Sequence, residues 1–235
     1  MPIYKIADLY ISINPLYKQT QKRLLPYLCD NDSFDLEVNI TDSEISQYIS
    51  KCSDFCSPEG AESVLILTSI CNNVLSLFDG FFFHSSSLMI DGEAYVFTAL
   101  SGTGKSTHTS LWREYFGDRV TMINDDKPII RKHNGKFCIY GTPWMGKSDI
   151  GNNVKAPVKA VYILERGKEN RAERVKTGEV FRQILEATLV PSDRENMSKL
   201  LVLLDEFFSS VQLFRLSCTM DIEAVKTAYE ASNTI

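Results

Sequence analysis

Ala99-Leu100-Ser101-Gly102-Thr103-Gly104-Lys105-Ser106-Thr107 is the stretch on which the reading of this chain turns. An apolar run, Ala94 to Leu100, precedes it and reads as a buried strand, and Thr107 to Phe116 follows as a helix. A strand, a glycine-bearing turn and Lys-Ser at the mouth of a helix make up a phosphate-binding loop. Gly102 and Gly104 permit backbone angles that side chains forbid, so that consecutive N–H groups converge on phosphate oxygens. The helix N-terminus favours negative charge, Lys105 adds a mobile cation, and the Ser106 hydroxyl is a ligand for Mg²⁺. The expected ligand is a nucleoside triphosphate, ATP with Mg²⁺, cradled from Ser101 through Gly102, Thr103, Gly104, Lys105 and Ser106 to Thr107. Ala99 stands where the usual pattern has its first glycine, which alters the turn without removing the cradle.

Composition narrows the classes of function. The 235 residues are 44% hydrophobic and 23% charged, with a net charge of −5, enough for a sizeable core in one large domain or a domain with an appendage. No run of lysines or arginines offers a basic patch, which argues against nucleic acid as the main partner. Met1 to Ile13 lacks the charged and apolar regions of a secretory signal, and no stretch of eighteen uninterrupted apolar residues occurs. The expectation is a cytoplasmic protein with no membrane partner. Its six cysteines are read as reduced thiols, and Cys52 and Cys56 lack the second ligand pair that zinc requires.

Outward from the loop, Tyr4 to Ile13 alternates as a strand with an irregularity at Ala7-Asp8, Leu16 to Leu28 reads as a short helix and Phe34 to Ile40 as a second strand. Thr41 to Glu44 supplies cap residues for a helix, and Pro58 starts a longer one, from about Glu59 to Leu77. Phe81 to Ile90 is extended and places His84 on a strand. Asp91-Gly92 is a hairpin turn that joins this strand to the one entering the phosphate loop. Val120 to Ile123 is a short strand ending in Asn124-Asp125-Asp126, and acidic residues at such a strand end hold the metal in phosphate-loop enzymes. A hairpin around His133-Asn134-Gly135 follows. Gly141 to Ser148 either covers a ligand or plugs the core with Trp144. Val158 to Leu164 is a buried strand with Arg166 at its end as a phosphate or substrate contact. Helices are expected at Gly178 to Leu189, Asp193 to Phe208 and Asp221 to Ser232, with a strand at Val211 to Leu216. The expected fold is α/β with a mixed twisted sheet. Residues 1–78 form an N-terminal α/β portion and residues 79–235 the nucleotide-binding and catalytic domain.

His84, the Asp91-Gly92 hairpin, Leu100 to Thr107 and the Asp125-Asp126 pair together resemble the catalytic domain of HPr serine kinase/phosphorylase, within the phosphoenolpyruvate carboxykinase-like phosphate-loop superfamily. His84 stands 21 residues before Lys105, as in that family. The resemblance covers about residues 80 to 165. It implies a kinase in which Asp125 acts as base, Asp126 with Ser106 binds metal, Lys105 neutralises phosphate charge and His84 assists the acid/base step or stabilises charge. Adjacency alone does not apportion the two aspartates. In place of the family's glycine-rich segment for protein substrates stands Gly141 to Gly146, so the acceptor is left as a hydroxyl of a protein, peptide or small molecule, and the oligomeric state is left open. An ATP-binding accessory or sensor protein of a peptide-modification pathway fits the same loop, and a carboxykinase-like lyase fits it least.

Overall fold

A computed structural model describes residues 1–191 and 193–234. The chain divides into two compact units, Met1–Phe78 and Asp79–Ile235.

In the first unit, β1 (Ile3–Ile6) and β2 (Leu9–Ile13) are an antiparallel hairpin. The irregularity at Ala7-Asp8 is therefore a complete reversal: both residues take positive φ, 53° and 59°, as a two-residue hairpin turn requires, although neither is the glycine or asparagine that usually announces one. Helix α1 (Lys18–Leu24) and strands β3 (Leu28–Cys29) and β4 (Leu36–Val38) follow, and the sheet order is β3-β1-β2-β4 with β2 and β4 parallel. Thr41 and Glu44 cap α2 (Asp42–Ser50) reciprocally: Thr41 Oγ1 accepts from the Glu44 N–H, and the Glu44 carboxylate accepts from the Thr41 N–H.

Helix α3 (Pro58–Phe78) packs on α1, α2 and β4. By length and composition it could cross a bilayer, the one such helix among the described residues, and 44% of its most apolar window is buried in the protein. Its buried Glu62 accepts hydrogen bonds from the Leu16 and Tyr17 N–H groups, so a carboxylate of one helix satisfies orphan donors at the start of another.

The second unit is built on a nine-stranded mixed sheet. Strands β5 (Gly80–Phe82) and β6 (Ser86–Ile90) lie in different ladders; β6 turns through Asp91-Gly92, at φ 51° and 83°, into β7 (Glu93–Thr98). Helix α4 (Lys105–Phe116) leads to β8 (Val120–Asn124), which returns antiparallel to β6. Strands β9 (Ile129–His133) and β10 (Lys136–Tyr140) form the expected hairpin, turning on Asn134-Gly135 with His133 paired to Lys136. Strand β11 (Lys155–Arg166) is longer than expected and runs parallel to β7. Strand β12 (Arg171–Arg174), helices α5 (Thr177–Ala187) and α6 (Arg194–Ser210), strand β13 (Gln212–Cys218) and helix α7 (Ile222–Asn233) complete the unit, with β13 parallel to β11. The polar sequence Arg171-Ala172-Glu173-Arg174 carries no alternation and was not expected to be a strand; the edge of β13 pairs with it.

The parallel core β7-β11-β13 buries Phe97, Tyr162 and Phe214 as a row of stacked rings, with centroids 5.3 and 5.2 Å apart. Trp112 of α4 and Val225 and Ala228 of α7 close over that face. Phe81, Phe83, Phe207 and Phe208 form a second aromatic group, held by α6. The candidate site lies beyond the ends of β7 and β8.

Gly141 follows β10, where two backbones cross closely: a Cβ there would fall 1.8 Å from the Asn152 carbonyl oxygen and 2.8 Å from that of Ile123. Gly141→Ala is expected to destabilise the protein by about 3 kcal/mol and lower Tm by about 6–12 °C. Gly178→Ala, where an added methyl meets nothing within 4 Å on an exposed turn of α5, is expected to leave Tm unchanged or raise it. Thermal unfolding of the two variants side by side checks this, and equal melting temperatures would refute the packing argument.

Candidate functional site

The loop from Ala99 to Gly104 connects the last residue of β7 to the first of α4. Strand β7 stops at Thr98, so Ala99 and Leu100 belong to the loop, not to the strand, and Leu100 is exposed. Gly102 and Gly104 take φ 79° and 119°; nothing crowds either α-carbon, so these glycines are needed for backbone conformation and not for space. Helix α4 begins at Lys105, two residues earlier than its hydrophobic periodicity indicates, because Gly104 serves as N-cap. Among the described residues no side chain caps this first turn, which leaves its N–H groups without a side-chain acceptor. Lys105 folds back so that its Nζ donates to the Ala99 carbonyl at 3.2 Å. Burial lowers the Lys105 pKa, and the neighbouring Asp126 and Asp125 partly oppose that shift.

Arg166, expected to contact phosphate or substrate, instead donates to the loop: its guanidinium reaches the Gly102 carbonyl at 2.7 Å and that of Thr103 at 3.4 Å. Those two contacts tie the end of β11 to the loop.

The facing wall is carried by β8 and the segment before β6. Asn124, fully buried at the end of β8, accepts from the N–H groups of Asp126 and Lys127, both at 2.8 Å, which bends the chain sharply and aims two consecutive carboxylates. The same side chain donates to the Thr142 carbonyl at 2.9 Å, tying the 141–151 segment to the turn. Asn124 and Thr142 are the positioning residues that sequence reasoning passed over; asparagine immediately before two aspartates at a strand end is the signal that could have found the first.

The two aspartates have different surroundings. Asp125 is buried, and its Oδ1 accepts a 2.5 Å hydrogen bond from Ser86 Oγ of β6; Ser86 in turn lies 2.8 Å from Thr109 Oγ1 of α4. Asp126 is half-buried and pairs with His84 Nε2 at 3.1 Å and with Lys127 Nζ at 3.2 Å. Its pKa is lowered: burial pushes it up, and the His84 hydrogen bond and the Lys127 charge together outweigh that.

His84 does not lie on a strand. It sits in the three-residue link between β5 and β6, with its N–H donating to the Ala187 carbonyl at 2.6 Å and its carbonyl accepting from Thr98 Oγ1 at 3.0 Å. The link exists because β5 pairs with β9 whereas β6 pairs with β7 and β8, so the chain must cross from one ladder to the other at His84-Ser85.

These residues meet around one open cleft of about 580 Å³. His84, Asp125 and Asp126 line it opposite Ser101, Gly102, Gly104, Lys105, Ser106 and Thr107. Thr103 lines a neighbouring slot instead. The 141–148 segment divides between packing and the cleft. Trp144 packs its ring against Phe82, centroids 5.9 Å apart, whereas Gly146, Lys147 and Ser148 line the cleft. Gly146, at φ 69°, lies so close that a Cβ there would be 2.9 Å from that of Asp126.

Comparison with known proteins adds a distant likeness. The chain is similar to the Hpr(Ser) kinase/phosphatase from Coxiella burnetii, with a TM-score of 0.34 and 12% identity, covering 65% of this chain and 94% of that one. No family model matches, and no curated protein matches. A likeness at that level is no basis for transferring an activity, so the chemistry has to come from the cleft itself.

The donor set suits a hard cation. Ser106 and Asp126, the expected metal ligands, both line this cleft, and the described residues contain no cluster of three or more His, Cys, Asp or Glu that could hold a metal ion. Magnesium at phosphoryl-transfer sites is held in this sparse way, by one or two protein oxygens with the phosphates and water completing the shell.

Beneath the loop, His108 is buried and neutral. Its Nε2 accepts from Trp112 Nε1 at 2.9 Å, its ring meets Phe97 edge-on, and burial lowers its pKa to about 4. Because the folded-state value lies below the ordinary 6.5, stability is present above pH 6.5 and is lost as pH falls toward 4, where the unfolded chain takes a proton that the folded one refuses. Between pH 7.5 and 4.5 this group alone should remove about 2.5 kcal/mol. Urea unfolding at the two pH values checks it: the loss should be smaller by that amount in His108→Phe, and equal losses in both proteins would refute it.

Proposed function

We propose that the protein is an ATP- and Mg²⁺-dependent phosphotransferase that moves the γ-phosphoryl group to a hydroxyl. The observation that carries this reading is that a single cleft brings an uncapped helix N-terminus with its lysine and serine opposite a buried carboxylate, a second carboxylate and a histidine. Phosphoryl transfer asks a protein chiefly for positioning and charge stabilisation, and these groups are of the kinds that supply both.

In the proposed reaction, the loop amides and Lys105 hold the phosphates and offset charge on the oxygens of the transferring group. Ser106 and Asp126 would hold Mg²⁺, which when bound neutralises charge across the phosphates. Asp125 receives the proton of the acceptor hydroxyl as its oxygen attacks phosphorus; the bond from the γ-phosphorus to the bridging oxygen breaks, and ADP leaves. Ser86 holds the Asp125 carboxylate in one orientation. His84, hydrogen-bonded to Asp126, orients that carboxylate.

The acceptor is a hydroxyl of a protein, peptide or small molecule. Incubation with γ-labelled ATP, Mg²⁺ and fractionated cell extract tests the proposal: label should move to a macromolecular or small-molecule fraction in a Lys105-dependent manner. ATP binding with no transfer in any fraction would instead support an accessory or sensor protein.

A further inference from the structure

The cleft does not end at the phosphate loop. Gly104 and Thr107 line both the cleft and a second, narrow slot that reaches toward the ends of β11 and β13. The slot is walled by Leu111, Leu164 and Met220, with His108 also in its lining. A ligand whose phosphates sit on the first turn of α4 would carry its next chemical group past Gly104 and Thr107 into this space.

His108 is the distinctive member. An indole N–H can only donate, so the Trp112 contact shows that His108 Nε2 carries no hydrogen, and the hydrogen of the neutral ring is on Nδ1. That Nδ1 is buried and has no hydrogen-bond partner among the described residues. Buried donors are rarely left unpaired, and one that is calls for an explanation.

We propose that this slot is a nucleobase subsite and that His108 Nδ1–H donates to a ring nitrogen or carbonyl oxygen of the base. The inference rests on the phosphate-site reading above and sharpens it, because it makes the ligand a nucleotide and not a bare polyphosphate. The slot as it stands holds about 20 Å³, no more than a single water, so a base must open it. The rim allows that: Met220 is 72% exposed, a long side chain that can swing aside without disturbing the rings packed beneath or the Arg166 contacts that hold the loop. Leu111 and Leu164 would then contact the faces of a planar ring, and His108 would read its edge.

Calorimetric titration of the full chain with ADP and with pyrophosphate, each in the presence of Mg²⁺, tests this. ADP should bind at least about tenfold more tightly than pyrophosphate, the scale of one good hydrogen bond with apolar contact. His108→Phe, which keeps a flat ring and removes the donor, and Met220→Trp, which fills the rim from an exposed position, should each weaken ADP about tenfold and leave pyrophosphate unchanged. If His108→Phe does not fold because Trp112 loses its acceptor, Met220→Trp carries the test. Equal affinity of the wild-type protein for ADP and pyrophosphate, or ADP binding untouched in every folded variant, would overturn the nucleobase subsite and leave the phosphate site standing. Failure of pyrophosphate and ADP alike to bind the wild-type protein would refute the phosphate-site reading itself.

Discussion

Asp125→Asn is expected to lower the rate of phosphoryl transfer by about 10³-fold while changing the affinity for Mg·ATP by less than about threefold. The amide matches the carboxylate in shape, and its oxygen can still accept from Ser86, whose hydroxyl lies 2.5 Å from Asp125 Oδ1. What asparagine cannot do is take up the proton of an attacking hydroxyl. Asp125 is buried and makes no salt bridge among the described residues, so neutralising it leaves no unpaired cation behind and the fold should persist. Asp126 is the contrasting case. Its carboxylate pairs with both His84 and Lys127, and Asp126→Asn should weaken metal-dependent nucleotide binding as well as turnover. Single-turnover transfer from γ-labelled ATP, with binding measured separately, distinguishes the two. Transfer by Asp125→Asn within about tenfold of wild type would remove the base assignment and leave the nucleotide site untouched.

Lys105→Ala is expected to weaken Mg·ATP binding by about 100-fold, equivalent to about 2.7 kcal/mol. Lys105 is the first residue of α4, and its ammonium shares the cleft with the uncapped first turn. The ammonium donates to the Ala99 carbonyl. In the proposed complex, phosphate would offer this ammonium charged oxygens in a partly dehydrated position, where a charge-assisted contact is stronger. The substitution should scarcely alter thermal stability, because the bond lost is a single one within a surface loop. Arg166→Ala gives a related but smaller effect, since Arg166 holds the loop through the Gly102 and Thr103 carbonyls without lining the cleft. Calorimetric titration of both variants with Mg·ATP measures the difference, and unchanged affinity in Lys105→Ala would end the case for a nucleotide at this loop.

Legibility from the sequence followed the range of the interaction. The Asp91-Gly92 and Asn134-Gly135 turns, the Thr41 to Glu44 cap and the strand-loop-helix around Gly102 and Gly104 depend on backbone preferences within a few residues, and all were readable from residue type. Where a local signal was absent the reading failed. Ala7-Asp8 adopts positive φ because two strands must reverse there, not because alanine prefers it. Arg171 to Arg174 becomes a strand because β13 offers it an edge.

The candidate site divides in the same way. Sequence alone determined which residues could bind phosphate and which could ionise, since glycine placement, the helix start and paired carboxylates are properties of short segments. Only the tertiary structure decided which of them meet. It moved His84 off the strand into a crossing between two ladders and onto Asp126, gave Asp125 to Ser86 from a strand 39 residues away, turned Arg166 from the cleft to the back of the loop, and left His108 with an unpaired donor beside a slot. Those pairings depend on strand register and on contacts between segments far apart in the chain. Neither is encoded within reach of the loop Ala99 to Thr107.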